Sequence, residues 1–282
     1  MFRKTLFHKT LFHTSLLQMA LALMAVVCVA ACTPQTTETP VDNSSVTLEK
    51  LAENVWLHTS FYEFPGGAKV PSNGIAVKDG DTLILVDTAW GEIATQTLAA
   101  KLKAETGLDI SKVVITHFHY DRLAGVDWLE AQGATVFTHP DTAAKSAALG
   151  TPVPNTSVAE LAEPHARTAL GPLEIAYPGP GHTEDNLVVY VKDANILFGG
   201  CAVRAANHTS MGNVADANLS AWGPSLAWVK AVYKDTQIVV PSHGAAGNAK
   251  LLDHTLGLLA KTVNAQAEGP KSDSQSEPAE AP

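Results

Sequence analysis

Three side chains with metal-ligating atoms fall within five residues of the stretch Thr116-His117-Phe118-His119-Tyr120-Asp121-Arg122. Such a density of imidazole and carboxylate cannot be core packing, because buried polar groups need partners and only Arg122 lies close by. Further along, His182 stands in a Pro-Gly-Pro-Gly-His-Thr run, Cys201 closes Ile196-Leu197-Phe198-Gly199-Gly200, and His243 follows Val239-Val240-Pro241-Ser242. Histidine, cysteine and aspartate are the zinc ligand set. His117 and His119, two apart in a loop, can turn to one ion, and a helix start turns Asp121 another way. One ion then takes His117, His119 and His182, and the other takes Asp121, Cys201 and His243. Two ions in this arrangement would lie roughly 3.5–4 Å apart, as in two-metal hydrolases. The tris-imidazole ion can make hydroxide near neutral pH, with a bound-water pKa of about 7. The thiolate and carboxylate make the second ion a softer electrophile.

These residues need strand ends to hold them. Val113-Ile115 is apolar and β-branched, a buried strand, and Leu123-Leu129 opens a helix, so the central motif bridges a strand and a helix. That is where α/β folds place their chemistry. Val46 to Leu57 reads as a first strand. Asp79-Gly80 between Gly74-Val77 and Thr82-Val86 signals a hairpin. Glu92 to Thr106 reads as a helix with Leu98 and Leu102 on one face and Gly107 just past its end. Thr135-Thr138, Leu187-Val191, Asn195-Phe198 and Gln237-Val240 read as strands. Helices are expected from His139 onward, over Leu219–Tyr233 and over Leu251–Val263. Gly150 to Pro172, rich in Pro, Thr and Glu, reads as irregular. Hairpins among the strands exclude a purely parallel sheet and favour a mixed arrangement covered by helices.

The first 31 residues stand apart. Arg3, Lys4 and Lys9 precede a short apolar run that ends in small residues, the pattern of a secretory signal. A membrane anchor is the competing reading, and the apolar run is marginal in length for one. Val29-Ala30-Ala31-Cys32 resembles a bacterial lipobox, which would place lipid on Cys32 and anchor the protein to the outer membrane from the periplasm; ordinary cleavage near Ala31 is the alternative. Residues 32–45 form a polar tether, 46–265 a single domain, and 266–282 a charged, Pro/Ser-rich tail with the composition of disorder. The net charge of the 282 residues is −9, and loss of the three leader bases takes it to about −12. No basic stripe appears, so nucleic acid is excluded as a partner. Cys201 is then the lone thiol of the folded body, which in an exported protein marks reactivity or metal binding.

His58, His139, His165 and His254 lack ligand context and read as surface or capping residues. His208, just after Cys201, is weighed the same way. Phe61-Tyr62-Glu63-Phe64-Pro65-Gly66-Gly67 carries aromatics on a Pro/Gly turn. It reads either as a hairpin whose aromatics fold back on the core or as an apolar flap over a site.

The motifs HFHYDRLAG, PGPGH, GGC and PSHG, in this order and spacing, resemble the metallo-β-lactamases, and Cys201 as a ligand marks subclass B1. SNGIAVKDGDTLILVDTAWG, YPGPGHTEDNLVVYV and GNVADANL extend the likeness over about residues 46 to 265, in the direction of the Verona integron-encoded type. The resemblance implies an αββα sandwich of two mixed β-sheets flanked by helices. It implies two Zn2+ on the six ligands, and an exported monomeric hydrolase that opens penicillins, cephalosporins and carbapenems and so confers resistance. It places Asp121 and Asn213 in catalysis, with Asn213 near the oxyanion. Substrate contacts fall to Arg204, His208, Trp90, Phe61 and Tyr62, and Arg122 stands behind Asp121.

The chain departs from the family pattern at Ala124 (usually Gly), Ser242 (commonly Gly), His208 (often Arg) and Arg204 (often Tyr or His). The shifted cation bears on substrate range. A thioesterase or phosphodiesterase of the same superfamily would carry a histidine in place of Arg122 and leave Cys201 unexplained. A periplasmic zinc-buffering or copper protein would leave the tris-imidazole half without a role.

Overall fold

The computed structural model describes residues 46–268, which lie within one compact unit. The leader, the lipobox cysteine, the tether and most of the tail lie outside the described residues. No helix among the described residues is long and apolar enough to cross a membrane.

In chain order the strands are β1 (Thr47–Ala52), β2 (Val55–Glu63), β3 (Lys69–Asp79), β4 (Thr82–Val86), β5 (Asp109–Ile115), β6 (Thr135–Thr138), β7 (Thr156–Ser157), β8 (Arg167–Leu170), β9 (Leu173–Ala176), β10 (Val188–Val191), β11 (Ile196–Gly200) and β12 (Ile238–Pro241). The helices are α1 (Glu92–Thr106), α2 (Tyr120–Leu123), α3 (Val126–Ala131), α4 (Pro140–Leu149), α5 (Leu219–Val232) and α6 (Lys250–Glu268). Seven strands form one sheet in sequential order β1 to β7, antiparallel through β4 and parallel beyond it. Five strands form the second, in the order β12-β11-β10-β9-β8, with β11 and β12 parallel.

Strand alternation builds three apolar layers from these two sheets. Leu83, Leu85, Val113 and Ile115 point outward onto Leu98 and Leu102 of α1 and Val126 and Leu129 of α3. Their neighbours Ile84, Val86 and Val114 point inward and meet Ile175, Val189, Phe198 and Val240 of the other sheet. On the far side Val188, Leu197 and Val239 pack under Trp222 and Leu226 of α5 and Leu252 and Leu259 of α6. Helix, sheet, sheet and helix therefore stack as the expected αββα sandwich, with mixed pairing in both sheets.

The expected α1 ends at Gly107, whose φ of 75° is the left-handed conformation that lets its N–H reach the Lys103 carbonyl. The Asp79-Gly80 hairpin joins β3 to β4 as read. Three expectations change. The single strand over 46–57 is a hairpin, turning at Glu53-Asn54 between β1 and β2. The stretch 150–172 contains β7 and the edge strand β8, which pairs with β9. Helix α6 runs to Glu268, past the end expected at Val263.

Candidate metal centre

All the ligand-bearing loops leave the carboxyl ends of strands. His117, His119 and Asp121 follow β5, His182 lies in the loop after β9, Cys201 follows β11 and His243 follows β12. The seven-stranded sheet thus supplies three candidate ligands and the five-stranded sheet the other three. His119 is the N-cap of α2, which places Asp121 in that helix's first turn and turns it away from the imidazole pair.

The six side chains converge. The rings of His117, His119 and His182 stand edge to face with centroids 4.7, 4.9 and 5.0 Å apart. His119 Nδ1 and His182 Nε2 face each other at 3.1 Å. His117 Nε2 is buried and makes no hydrogen bond. Asp121, Cys201 and His243 form the other group, with His243 Nε2 3.3 Å from Asp121 Oδ2 and 3.5 Å from Cys201 Sγ. Three overlapping trios, His117/His182/Cys201, His117/His119/Asp121 and Asp121/Cys201/His243, each bring their ligand atoms within 4.8 Å of one another.

The rear nitrogens explain this orientation. His243 donates Nδ1–H to the Pro71 carbonyl at 2.6 Å, His119 Nε2 meets Asp216 Oδ2 at 3.0 Å, and His117 Nδ1 meets Thr116 Oγ1 at 3.2 Å. Each such contact fixes a tautomer and aims the other nitrogen into the cluster. An orphaned buried nitrogen, two nitrogens face to face and a buried thiol beside a carboxylate fit a zinc ion, and the donor set suits zinc.

Charge is arranged to match. Burial and Asp121 oppose ionisation of Cys201, but His243, His117 and Arg122 outweigh them and hold the thiol well below its ordinary range. Burial likewise disfavours the Asp121 carboxylate, and Arg122 and His243 more than compensate, holding it far down. Burial, His117 and His182 push His119 down to about 4, so it is neutral near pH 7. His243 is pushed the other way, to about 10, because Cys201 and Asp121 overcome its burial.

Arg122 stands where a superfamily thioesterase or phosphodiesterase would carry a histidine ligand, and it does something else. Its side chain is fully buried and donates to Asp121 Oδ2 (2.7 Å), the Asn73 carbonyl (2.7 Å), Ser242 Oγ (3.1 Å), Asp87 Oδ2 (3.3 Å) and Ser72 Oγ. One guanidinium thereby ties β3, the end of β4, the Asp121 turn and the His243 loop together. Ser242 acts on the site through Arg122. Asp87 in turn receives the Thr116 N–H and hydroxyl, both at 2.8 Å.

At the mouth, Tyr62 stacks on Trp90 at 4.9 Å, Phe64 meets Trp90 edge-on at 5.8 Å, and Trp90 lies 6.2 Å from the His243 ring. Tyr62 and Phe64 stay about two-fifths exposed, so the turn aromatics form a projecting wall beside the ligands. Phe61 alternates to the other face of β2 and takes no part in this cluster. Arg204, half-buried, packs its guanidinium against Gly212, next to Asn213. His208 Nε2 lies over Gly244, the residue after His243. Asn213 is exposed and its Oδ1 accepts from the Ala215 N–H at 3.1 Å, a turn that presents Asp216 to His119.

Sequence reasoning passed over Asp216, a lone carboxylate within GNVADANL whose spacing carries no signature. It placed His58 at the surface or at a cap. His58 is fully buried, bonded to the Asp87 carbonyl at 3.2 Å and packed so tightly on Gly74 that a Cβ there would stand 2.2 Å from its Nε2. His139 does cap α4, accepting from the Asp141 N–H.

A family model described as the metallo-beta-lactamase superfamily matches residues 67–243. A type 2 metallo-beta-lactamase of Bacillus cereus is 35% identical over 218 residues, 77% of this chain and 84% of its own length. One from Pseudomonas aeruginosa is 34% identical over 208 residues, 74% and 82% of the two chains. Among solved structures, a Pseudomonas aeruginosa metallo-beta-lactamase in its mono-zinc form superposes with a TM-score of 0.74 at 36% identity, covering 77% of this chain and 96% of its own.

Proposed function

The chain belongs to the metallo-beta-lactamase superfamily and is a β-lactam hydrolase, and from that premise we propose that it opens penicillins, cephalosporins and carbapenems with two zinc ions and so confers resistance to them. The observation that carries this is the convergence of six donor side chains in overlapping trios within 4.8 Å. The zinc-binding family fits the donor chemistry, and six ligands divide naturally into three for each ion. Cys201 in that set supports subclass B1, and the long shared motifs support a likeness to the Verona type.

Zinc on these residues supplies Lewis acidity, which polarises a carbonyl oxygen and makes water nucleophilic near neutral pH. The chain's own groups do the rest. The Tyr62, Phe64 and Trp90 wall covers apolar substrate surface and excludes water. Phe61, on the other face of β2, stands outside that wall, so the expected substrate contact falls to Tyr62 and Trp90 instead. Arg204 pairs with the substrate carboxylate, and His208 lies alongside as a polar contact. Asn213 donates its amide N–H to the carbonyl oxygen as negative charge develops there. Asp121, held in place by Arg122 at 2.7 Å, orients the attacking water as a hydrogen-bond acceptor. The water oxygen bonds the ring carbonyl carbon, the C–N bond breaks, and the nitrogen ends with the proton. The leader-like and lipobox-like stretches support a periplasmic enzyme with a lipid on Cys32 at the outer membrane.

Hydrolysis of a penicillin, a cephalosporin and a carbapenem by the purified protein, with and without chelator, tests the reading, alongside zinc counted per chain. Turnover of all three that chelator abolishes, at two zinc ions per chain, is expected. Turnover untouched by chelator would overturn it.

A further inference from the structure

We propose that Asp185 is a positioning residue for metal binding: from behind the site it anchors the amide of Phe118 and so holds His117 and His119 at the reach an ion requires. This rests on the zinc reading of the site and names a residue outside the ligand set.

Asp185 is fully buried, and burying a carboxylate costs several kcal/mol unless the group is well paired. Its partners are specific. Oδ2 accepts the Phe118 N–H at 3.1 Å and the Thr142 hydroxyl at 2.6 Å. Oδ1 makes no hydrogen bond; Lys145 Nζ, from α4, stands 3.7 Å from it. The same ammonium lies 4.9 Å from the centre of the Phe118 ring. Phe118 is thus gripped twice, at its amide and at its ring, and it is the residue between the two imidazoles.

Asp185 also lies three residues after His182. Its hydrogen bond to Phe118 therefore joins the His182 loop of one sheet to the His117–His119 segment of the other. Asn186, beside it, stiffens the same loop by accepting the Thr183 N–H at 3.2 Å and donating to the Gly179 carbonyl at 3.0 Å. Without the anchor, the segment keeps the Thr116 bonds to Asp87 and Leu187 at one end and the start of α2 at the other, but Phe118, between the two imidazoles, loses its amide partner. Outer partners that orient ligands in this way change metal affinity about 10–100-fold when removed.

The test compares the parent with Asp185→Ala and Asp185→Asn. Zinc affinity is read by competition with a chromophoric chelator, ligand geometry by the absorption spectrum of the cobalt-loaded protein, and the anchor by hydrogen exchange at the Phe118 amide. Asp185→Ala is expected to bind zinc about 10–100-fold more weakly, to alter the cobalt spectrum and to speed exchange at Phe118. Asp185→Asn, which keeps an acceptor oxygen, is expected to recover most of the affinity. A folded Asp185→Ala whose zinc affinity stays within about twofold of the parent overturns the proposal, as does an Asn variant as weak as the Ala one. Should the Ala variant not fold, Thr142→Val, which removes one of the two donors, is expected to weaken zinc binding about threefold or more, and unchanged binding overturns the proposal. A parent that binds no zinc would bring down the reading of the site itself, a distinct result.

Discussion

His243 and Pro71, 172 positions apart, are joined by a 2.6 Å hydrogen bond from the imidazole Nδ1–H to the backbone carbonyl of β3. The last of the six donor side chains is thereby oriented by a strand of the opposite sheet. Because the acceptor is a backbone oxygen, no side-chain substitution removes it. Only Nε2 is left to face Cys201 and Asp121.

Cys201→Ser keeps the size of the side chain and removes the soft donor. The Asp121/Cys201/His243 side should lose metal affinity while the tris-imidazole side keeps its ion. Zinc content should fall from two per chain toward one, and kcat/KM for a carbapenem by about 10–100-fold. Unchanged zinc content and rate would remove Cys201 from the ligand set.

Asp216→Asn leaves His119 facing an amide where it now has a carboxylate. The ring loses a charged acceptor that fixes its tautomer, and zinc affinity should drop about 10-fold with little change in melting temperature of the zinc-free protein. Titration against a competing chelator reads the first, calorimetry the second.

Arg122→Met removes the guanidinium and leaves Asp87 and Asp121 buried beside hydroxyls that have lost their donor. Breaking a buried charge network of this kind costs about 3–5 kcal/mol. Urea unfolding of the zinc-free protein should show that loss as a lower midpoint at unchanged slope. A loss under about 1 kcal/mol would mean the cavity readily admits water.

Tyr62→Ala opens the aromatic wall without touching a ligand. Uniform substrate binding should weaken, raising KM about 10-fold for substrates with a large apolar side chain and leaving kcat nearly unchanged. Steady-state kinetics on two substrates differing in that group would measure the split.

His58 gives the fold a dependence on pH. Burial, with Arg122 adding to it, pushes its pKa down to about 3, while the unfolded chain titrates near 6.5. Between these values the unfolded state binds a proton that the folded state refuses. The contribution is therefore fully present above about pH 6.5 and is lost as pH falls toward 3, at about 1.4 kcal/mol per pH unit at most. In His58→Gln the stability of the zinc-free protein should fall less steeply over that window. An identical slope would assign the acid lability elsewhere.

The six converging donor residues were legible because zinc chemistry admits few residue types, and the strand-end context of each is local. The same holds for α1, whose apolar face and Gly107 stop are written in consecutive residues. What escaped was nonlocal or short. Strand β8 is four residues long at a sheet edge, and its alternation is set inside a polar stretch, so pairing with β9 is all that distinguishes it from a loop. Asp216 and Asp185 are single carboxylates whose partners lie 97 and 67 positions away. His58 reads as an ordinary surface histidine until the close approach of Gly74 and Asp87 encloses it.

The even division of the six donors between the two sheets also constrains biosynthesis. His243 follows β12, so a nascent polypeptide cannot assemble the complete set until it has been translated through that strand. Any truncation upstream of β12 would yield a product with an incomplete cage.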